Sequence, residues 1–305
     1  MRALWSVGLA IGCLTAVAGS KAQTSRAVTG SATDPTPAQA NHAVTAGAAD
    51  TTPAQATGPA APPHFDLAGA RVVDLSHEYG PDTLFWPANP PETFQLQTLS
   101  HGITPGGFFY AANKFCGPEH GGTHMDAPLH FADGKWSAAD VPIERLVAPA
   151  VVVDVRTQAE ADRDYRLQPA DVAAWEAKYG RIPVGAIVLL RTGWSARWPD
   201  RLRYFGSAST SSAADLHFPS YSAEAVKLLL ERGVGALGVD TASIDHGPSR
   251  DFPVHRLTAA ANVPGLENLD HLDQLPETGA WLVALPMKIA GGTGGPLRAV
   301  ALLPP

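Results

Sequence analysis

The stretch HGGTHMDAPLHF, residues 120–131, holds three histidines and one aspartate within eleven positions. Neutral imidazoles and carboxylates are the ligands that zinc, manganese and similar divalent ions take. The paired glycines and Pro128 argue against a helix, so we expect a loop or a bent strand here. In a strand, His124 and Asp126 lie on the same side because side chains alternate with a period of two. The alternative is a turn in which these histidines only form hydrogen bonds.

Further candidate groups lie downstream, in the stretch GVDTASID at residues 238–245 and then at His255 and Glu267. Asp240 and Asp245 follow a predicted strand, where they could simply cap or brace a loop. Glu267 could be a solvated surface charge. Taken singly, none of these residues establishes a site.

The sequence around these stretches predicts eight strands, as runs rich in β-branched and aromatic residues bounded by Gly, Pro or Asp. They are residues 71–77, 94–99, 108–115, 150–155, 186–191, 235–239, 281–285 and 298–303. The fourth and fifth runs are almost continuously apolar, which is typical of strands that are covered on both faces.

Two helices are predicted between these strands. Residues 169–179 begin with a proline and end before Gly180, and residues 222–232 begin with Ser222 as N-cap and end before Gly233. The elements together predict one mixed α/β domain with more strand than helix, over residues 64–305.

The N-terminal segment has a different composition. Residues 1–22 combine Arg2, an uncharged apolar run and a small-residue exit, which predicts a secretory signal peptide. A membrane anchor and a lipidated Cys13 are the alternatives. Residues 23–63 are rich in Ala, Thr and Pro and contain two related repeats, ATDPTPAQA and AADTTPAQA, so we expect a disordered linker. The mature protein is therefore expected to be periplasmic or secreted, with no membrane span after processing.

Composition excludes some classes of protein. The net charge of −7 leaves no basic surplus for phosphate backbones, so nucleic acid is not an expected partner. A hydrophobic content of 45% is enough for a real core. Cys116 is the sole cysteine of the predicted domain, and we expect its thiol to be buried.

Residues 120–131 resemble the signature of the cyclase family of metal-dependent hydrolases, which includes bacterial kynurenine formamidases and isatin hydrolases. The resemblance continues through VDTASID at 239–245, the spacing of His255 and Glu267, and ENL at 267–269, and it covers essentially residues 70–303. It implies a swivelling β/β/α domain with a mixed sheet and few helices. It also implies a homo-oligomer, a dimer or a tetramer.

The resemblance further implies a site with two metal positions. One would be held by His120, His124 and Asp126, and the other by Asp126, His255 and Glu267. His130, the last histidine of the signature, resembles the proton-transfer residue of the family. The residue types are compatible with Zn or Mn, and with one or two divalent ions per chain.

Such a site suits hydrolysis of a small-molecule amide. A bound divalent ion lowers the pKa of water from 15.7 to about 7 and polarises a carbonyl group. We therefore expect a hydrolase that opens a small cyclic amide or cleaves an N-formyl amide. His130 suits proton transfer because its ordinary pKa is near 6.5, although it could instead orient Asp126. A lactone or ester hydrolase and a non-catalytic periplasmic metal- or ligand-binding protein are the alternatives.

Four other segments are candidates for a role near the site. Phe85 and Trp86 follow the first strand and are candidate substrate-binding residues, and the aromatic residues at 108–110 could serve likewise. Residues 191–218 are longer than in the short formamidase-type members and resemble the isatin hydrolase branch, which disfavours a kynurenine substrate. The glycine-rich residues 291–296 lack the Lys-Ser/Thr ending of a phosphate-binding loop and are expected to form a structural turn.

Overall fold

The computed structural model describes residues 69–88 and 90–305. The predicted signal peptide, residues 1–22, and the predicted linker, residues 23–63, lie outside the described residues. None of the helices in the described ranges is long and apolar enough to cross a membrane.

The described chain alternates strands with a few helices. The strands are β1 (Arg71–Asp74), β2 (Gln95–Ile103), β3 (Phe109–Cys116), β4 (His124–Asp126), β5 (Val147–Asp154), β6 (Arg166–Leu167), β7 (Ile187–Arg191), β8 (Ser220–Tyr221), β9 (Ala236–Val239), β10 (Gly265–Glu267), β11 (Trp281–Pro286) and β12 (Gly294–Leu303). The α-helices are α1 (Arg156–Ala161), α2 (Pro169–Tyr179), α3 (Arg201–Phe205), α4 (Ala223–Arg232) and α5 (Pro253–Ala260).

Seven strands close into a barrel in the order β12-β11-β5-β7-β9-β10-β4, because β4 pairs with both β10 and β12. The neighbours β5, β7, β9 and β10 run parallel, and the other pairs of the ring are antiparallel. β1 lies outside the ring and pairs with β12. This architecture confirms the predicted mixed α/β domain with few helices.

The strand β7 shows how the core is divided. Ile187 and Leu189 belong to the cluster inside the barrel, whereas Val188 and Leu190 pack with the cluster beneath α2 and α4. All four side chains are fully buried. Each such side chain stabilises the fold by about 1.5–3 kcal/mol relative to an exposed one. The prediction of a strand covered on both faces is confirmed.

The two predicted helices are present with the predicted ends. α2 begins at Pro169 and is followed by Gly180. Before α4, the hydroxyl of Ser222 accepts a hydrogen bond from the backbone N–H of Ala225, and Gly233 ends the helix with a φ of +75°. The capping side chain and the left-handed glycine satisfy the backbone groups that a helix leaves open at its ends.

The strands β2 and β3 form a separate two-stranded hairpin, which pairs with no other strand of the described chain. Most of its apolar side chains are exposed. Cys116, the last residue of β3, is exposed as well, so the expectation of a buried thiol is wrong. The physical reason is that the hairpin lies outside all three core clusters of the described chain.

Candidate functional site

Strand pairing brings the predicted metal ligands together. β4 carries His124 and Asp126, and β10 runs antiparallel beside it with Glu267 opposite His124. His255 lies in the first turn of α5. The ligand atoms of His120, His124 and Asp126 lie within 4.8 Å of one another, and so do those of Asp126, His255 and Glu267. The two groups share Asp126, so its carboxylate could contribute a ligand atom to either group.

The glycines after His120 make this local geometry possible. A Cβ at Gly121 would lie 2.1 Å from the ring of Phe85, and Gly122 has a φ of +56° with the ring of Tyr79 against it. The Tyr79 hydroxyl donates to the carbonyl oxygens of Gly121 and Thr123, at 2.6 and 2.8 Å. Neither position has room for a side chain. Because glycine has none, the backbone can turn tightly here and enter β4 with His124 and Asp126 on the same face, as predicted.

Two of the histidines have one ring nitrogen held by an acceptor and the other facing the carboxylates. His124 Nδ1 lies 2.9 Å from the carbonyl of Gly122, and His255 Nδ1 lies 2.7 Å from the carboxylate of Asp245. The opposite nitrogen of His255, Nε2, is 2.9 Å from Asp126 and 3.2 Å from Glu267. An acceptor at Nδ1 fixes a proton there, so Nε2 is the nitrogen that a neutral ring would offer to a cation.

The chemistry of this donor set fits a cation. His124 Nε2 is buried without a hydrogen-bond partner among the described residues, at 3.2 Å from Asp126 and 3.5 Å from Glu267. An orphaned buried nitrogen of this kind is costly unless something electropositive satisfies it. Burial opposes charge on His255, yet the hydrogen bonds that its ring donates to Asp126, Asp245 and Glu267 raise its pKa well above the usual value. The site therefore attracts positive charge.

Asp126 is the centre of the cluster. Burial by itself would raise its pKa, but hydrogen bonds with His120 and His255 and the attraction of the adjacent His124 ring hold it well below the usual value. One carboxylate oxygen is 2.6 Å from His120 Nδ1, and the other is 2.9 Å from His255 Nε2. The two carboxylate oxygens of Asp126 thus contact different ligand groups, one toward His120 and the other toward His255.

His130 stands beside the cluster and belongs to neither group of ligands. It ends the 3-10 turn Pro128–His130, and its ring stacks on that of His120 with a centroid distance of 3.8 Å. Desolvation lowers its pKa to about 4, although the residue is exposed and lines the pocket. His130 is therefore a neutral imidazole at neutral pH, able to accept a proton.

The cluster lies at the base of a cavity of about 310 Å³. Its apolar wall is formed by Leu84, Trp86, Phe131, Phe205 and Phe252. A larger cleft of about 1040 Å³, beside His77, contains none of the predicted ligands.

The two aromatic residues predicted to bind substrate occupy different places. Trp86 lines the cavity, and its ring meets Phe218 edge-on at 6.4 Å. Phe85 is only 2% exposed, and its ring packs on the backbone of Gly121 and does not line the cavity. The reason is the strand-like bridge between Phe85 and Gly121, since neighbouring residues of an extended segment point to opposite sides.

The aromatic residues at 108–110 lie on the hairpin and not in the cavity. Phe108, Phe109 and Tyr110 are 61%, 58% and 50% exposed. They are neither a pocket wall nor part of the core, which are the two roles that an aromatic side chain in a strand usually has.

Residues 191–218 build part of the cavity wall. They form the 3-10 turn Trp194–Arg197 and the helix α3, whose last residue, Phe205, reaches the cavity. Asp240 braces the start of this segment by accepting hydrogen bonds from the backbone of Gly193 and the hydroxyl of Thr192. The sequence-based suggestion that Asp240 braces a loop is confirmed.

Some residues of the site carried no clear sequence signal. Asp245 was one of the downstream candidates that could simply cap or brace a loop, and it also holds His255. Thr293 and Glu119 contact each other and His120, although 173 positions separate Thr293 from His120. Phe252 likewise lies far in the sequence from the other residues of the cavity wall. The VDTASID stretch, which contains Asp245, and the glycine-rich residues 291–296, which contain Thr293, could have drawn attention to two of them.

Comparison with known proteins agrees with the geometry. The family described as "Putative cyclase" matches residues 73–246. The isatin hydrolase of Roseibium aggregatum is 34% identical over 248 residues, which cover 77% of this chain and 92% of that protein. The kynurenine formamidase of Salinibacter ruber is 28% identical, covering 75% and 96%. The structure of isatin hydrolase A from Ralstonia solanacearum aligns with a TM-score of 0.70 at 38% identity, covering 77% and 93%. The chain belongs to the cyclase family.

Proposed function

We propose that this chain is a metal-dependent hydrolase that opens a small cyclic amide of the isatin type, a carbon–nitrogen bond other than a peptide bond. The observation that carries the proposal is the convergence of His120, His124, Asp126, His255 and Glu267 at the base of an aromatic-walled cavity. Relatives named isatin hydrolase and kynurenine formamidase support the same reaction class.

The five ligands would hold one or two divalent ions. His120, His124 and Asp126 would hold one, and Asp126, His255 and Glu267 the other. The orphaned Nε2 of His124 supports this assignment. Mixed imidazole and carboxylate donors suit Zn²⁺ and Mn²⁺, with Zn²⁺ as the first choice to test.

A bound divalent cation would activate water and polarise the amide carbonyl. The residues of the chain would supply the rest. His130 would take a proton on an imidazole nitrogen and return it to the departing amide nitrogen, since it is neutral and stands outside the ligand groups. Its stacking on His120 fixes the plane of its ring. Trp86, Phe131 and Phe252 would exclude bulk water from the reacting group.

The cavity wall favours a small, flat, uncharged substrate. Four aromatic rings surround the cavity, and none of the described residues that line it is Lys or Arg. An amino-acid substrate such as N-formylkynurenine carries a carboxylate and an ammonium group, which would be desolvated here at a high cost unless paired. A cyclic aromatic amide presents no such charge.

The test is a substrate panel on chelator-treated enzyme reloaded with Zn²⁺ or with Mn²⁺. Isatin, N-formylkynurenine and a simple lactone represent the three substrate classes. We expect metal-dependent opening of isatin and little turnover of the other two. Fast lactone hydrolysis alone would favour the esterase alternative. Bound metal without turnover of any member would favour a non-catalytic binding protein and overturn the proposal.

We also propose that the enzyme is a homodimer joined through the β2–β3 hairpin. The strand register places Leu96 opposite Phe115 and Ile103 opposite Phe109, and all four side chains are more than half exposed. An isolated two-stranded hairpin is marginally stable in water, and a contiguous apolar patch of several hundred Å² is typical of an interface.

The hairpin would form the centre of the interface. Seven large apolar side chains of the hairpin and its turn are at least half exposed: Leu96, Leu99, Ile103, Phe108, Phe109, Tyr110 and Phe115. The register places Leu96, Ile103, Phe109 and Phe115 on one face, and at roughly 100 Å² each these four offer about 400 Å² per copy and about 800 Å² in two copies. Stable interfaces bury about 1,200–2,000 Å² in total, so residues around the hairpin would complete the contact.

Sedimentation analysis tests the dimer. The double variant Ile103→Ser, Phe109→Ser is expected to sediment as a monomer. Val184→Ser, at a position 83% exposed and far along the chain, is the control and should keep the wild-type state. An unchanged oligomer in the hairpin variant, or a monomeric wild type, would contradict the assignment.

We further propose that the enzyme is periplasmic or secreted, on the sequence of residues 1–22 alone. Cell fractionation with N-terminal sequencing of the product tests this. A mature chain that begins near residue 23 outside the inner membrane is expected, and an uncleaved cytosolic chain would refute export.

A further inference from the structure

We infer that Glu119 and Thr293 act together as a positioning relay that selects which ring nitrogen of His120 is free to bind a cation. The inference rests on the proposed metal-dependent function. Thr293 Oγ1 lies 2.9 Å from His120 Nε2 and 2.6 Å from Glu119 Oε2. The backbone N–H of Thr293 donates to the same Glu119 oxygen at 2.8 Å.

The protons available to Glu119, Thr293 and His120 determine the tautomer of the His120 ring. Glu119 Oε2 accepts from a backbone N–H, and a carboxylate oxygen accepts a second donor readily. The Thr293 hydroxyl has one proton, and donating it to Glu119 leaves only lone pairs toward His120. His120 must then donate from Nε2, so its Nδ1 faces Asp126 either with a second proton or, when a cation is bound, with the lone pair that binds it.

That lone pair points at an acceptor. His120 Nδ1 is 2.6 Å from an oxygen of Asp126, which is also an acceptor when ionised. Two lone pairs at this distance repel each other unless a positive charge lies with them. The relay therefore directs the ligating nitrogen of His120 into the cluster.

The glycines on both sides of Thr293 make room for the relay. A Cβ at Gly292 would lie 2.8 Å from Glu119 Oε1, and a Cβ at Gly294 would lie 2.6 Å from the His120 ring. The carbonyl of Thr293 accepts a hydrogen bond from the N–H of Ala127 at 2.8 Å, just after β4. The glycine-rich residues 291–295 thus do more than turn the chain, because they seat Thr293 against His120.

His120 differs from His124 and His255 in the type of group that holds its ring. His124 is held by a backbone carbonyl and His255 by a single carboxylate. His120 alone among the three is held by a hydroxyl, which can donate or accept. Its tautomer therefore depends on Glu119, and this dependence can be tested with side-chain variants.

The experiment measures Zn²⁺ affinity of the full chain by competition with a chromophoric chelator. Thr293→Val removes the hydroxyl at nearly constant shape, Thr293→Ser keeps it, and Glu119→Gln removes the charge that orients it. Losing such a partner of a metal ligand typically costs about 10–100-fold in affinity. We expect a loss of this size in Thr293→Val, a loss of about tenfold in Glu119→Gln, and affinity within threefold of wild type in Thr293→Ser. The exposed Thr157→Val is the control.

A second readout tests the tautomer directly. In ¹⁵N-histidine-labelled, Zn²⁺-loaded wild type, the His120 ring should carry its proton on Nε2, and Thr293→Val should expose that proton to faster solvent exchange. Wild-type affinity in Thr293→Val, equal losses in the Val and Ser variants, or a proton on Nδ1 would overturn the relay while leaving the proposed function intact. A wild-type chain that binds no Zn²⁺ would overturn the proposed function and the relay together.

Discussion

Asp245 has a structural role in the fold and a positioning role at the proposed metal centre, and substitutions of Asp245 can distinguish these two roles. Its carboxylate accepts hydrogen bonds from the backbone N–H groups of Val254 and His255, at 3.1 and 3.0 Å, and from His255 Nδ1 at 2.7 Å. It is 1% exposed. The two bonds from backbone N–H groups cap α5 at its N-terminus, and the third bond fixes the His255 ring.

The two functions give two magnitudes. Asp245→Ala removes all three bonds, at about 1 kcal/mol each, so it should lower the free energy of unfolding of the metal-free protein by about 3 kcal/mol. Asp245→Asn keeps one acceptor oxygen for the helix cap and should cost about 1 kcal/mol. Its amide, however, would donate to His255 Nδ1 and move the ring proton to Nε2, which faces Asp126. Zn²⁺ affinity should then fall by about 10–100-fold.

Urea unfolding in the presence of a chelator measures the stability, and chelator competition measures the affinity. The exposed Asp251→Asn is the matched control, and both quantities should stay at their wild-type values. The decisive variant is Asp245→Asn, since it should lose far more affinity than stability. If it binds Zn²⁺ within twofold of wild type, Asp245 serves only as a helix cap and the tautomer argument for His255 is wrong.

Three further outcomes are expected. His130→Ala should keep its metal content and lose about 10²–10⁴-fold in kcat, measured on isatin with metal analysis of the same sample; loss of metal would instead make His130 a ligand. Leu189→Ala should lower the free energy of unfolding by about 2–5 kcal/mol in urea, because the side chain is fully buried inside the barrel and leaves a cavity. Burial opposes ionisation of Asp154, but hydrogen bonds from Arg156 and Arg191 lower its pKa to about 2. A lowered pKa in the folded state contributes stability at pH values above the unfolded pKa near 3.9, and this stability is lost as the pH falls toward 2. Asp154→Asn should therefore weaken the acid dependence of the free energy of unfolding between pH 5 and 2. An unchanged pH profile would refute the linkage.

Local signals in the sequence were strong enough to predict much of the fold. α2 and α4 have the predicted ends because proline, a capping serine and a following glycine act within a single helical turn. β5 and β7 were predicted as buried on both faces from their continuous apolar runs, and the structure confirms this. The cyclase resemblance was recognisable because its signature lies in one short stretch.

Contacts between distant segments were beyond the reach of such signals. Whether Phe85 or Trp86 faces the cavity depends on the bridge between Phe85 and Gly121. The exposure of Cys116 depends on a hairpin that leaves the barrel, whereas the apolar and aromatic residues that make up most of β3 are also typical of a core strand.

The sequence by itself determined which residues could bind a cation, since imidazoles and carboxylates are recognisable by type and by the spacing of residues 120–131. Only the tertiary structure decided how each ring is oriented. Asp245 reaches His255 because α5 begins beside it, and Thr293 reaches His120 across 173 positions because β12 pairs with β4. A hydrogen bond acts over about 3 Å, so the partner of a histidine is set by the folded path of the chain and not by the neighbours in sequence.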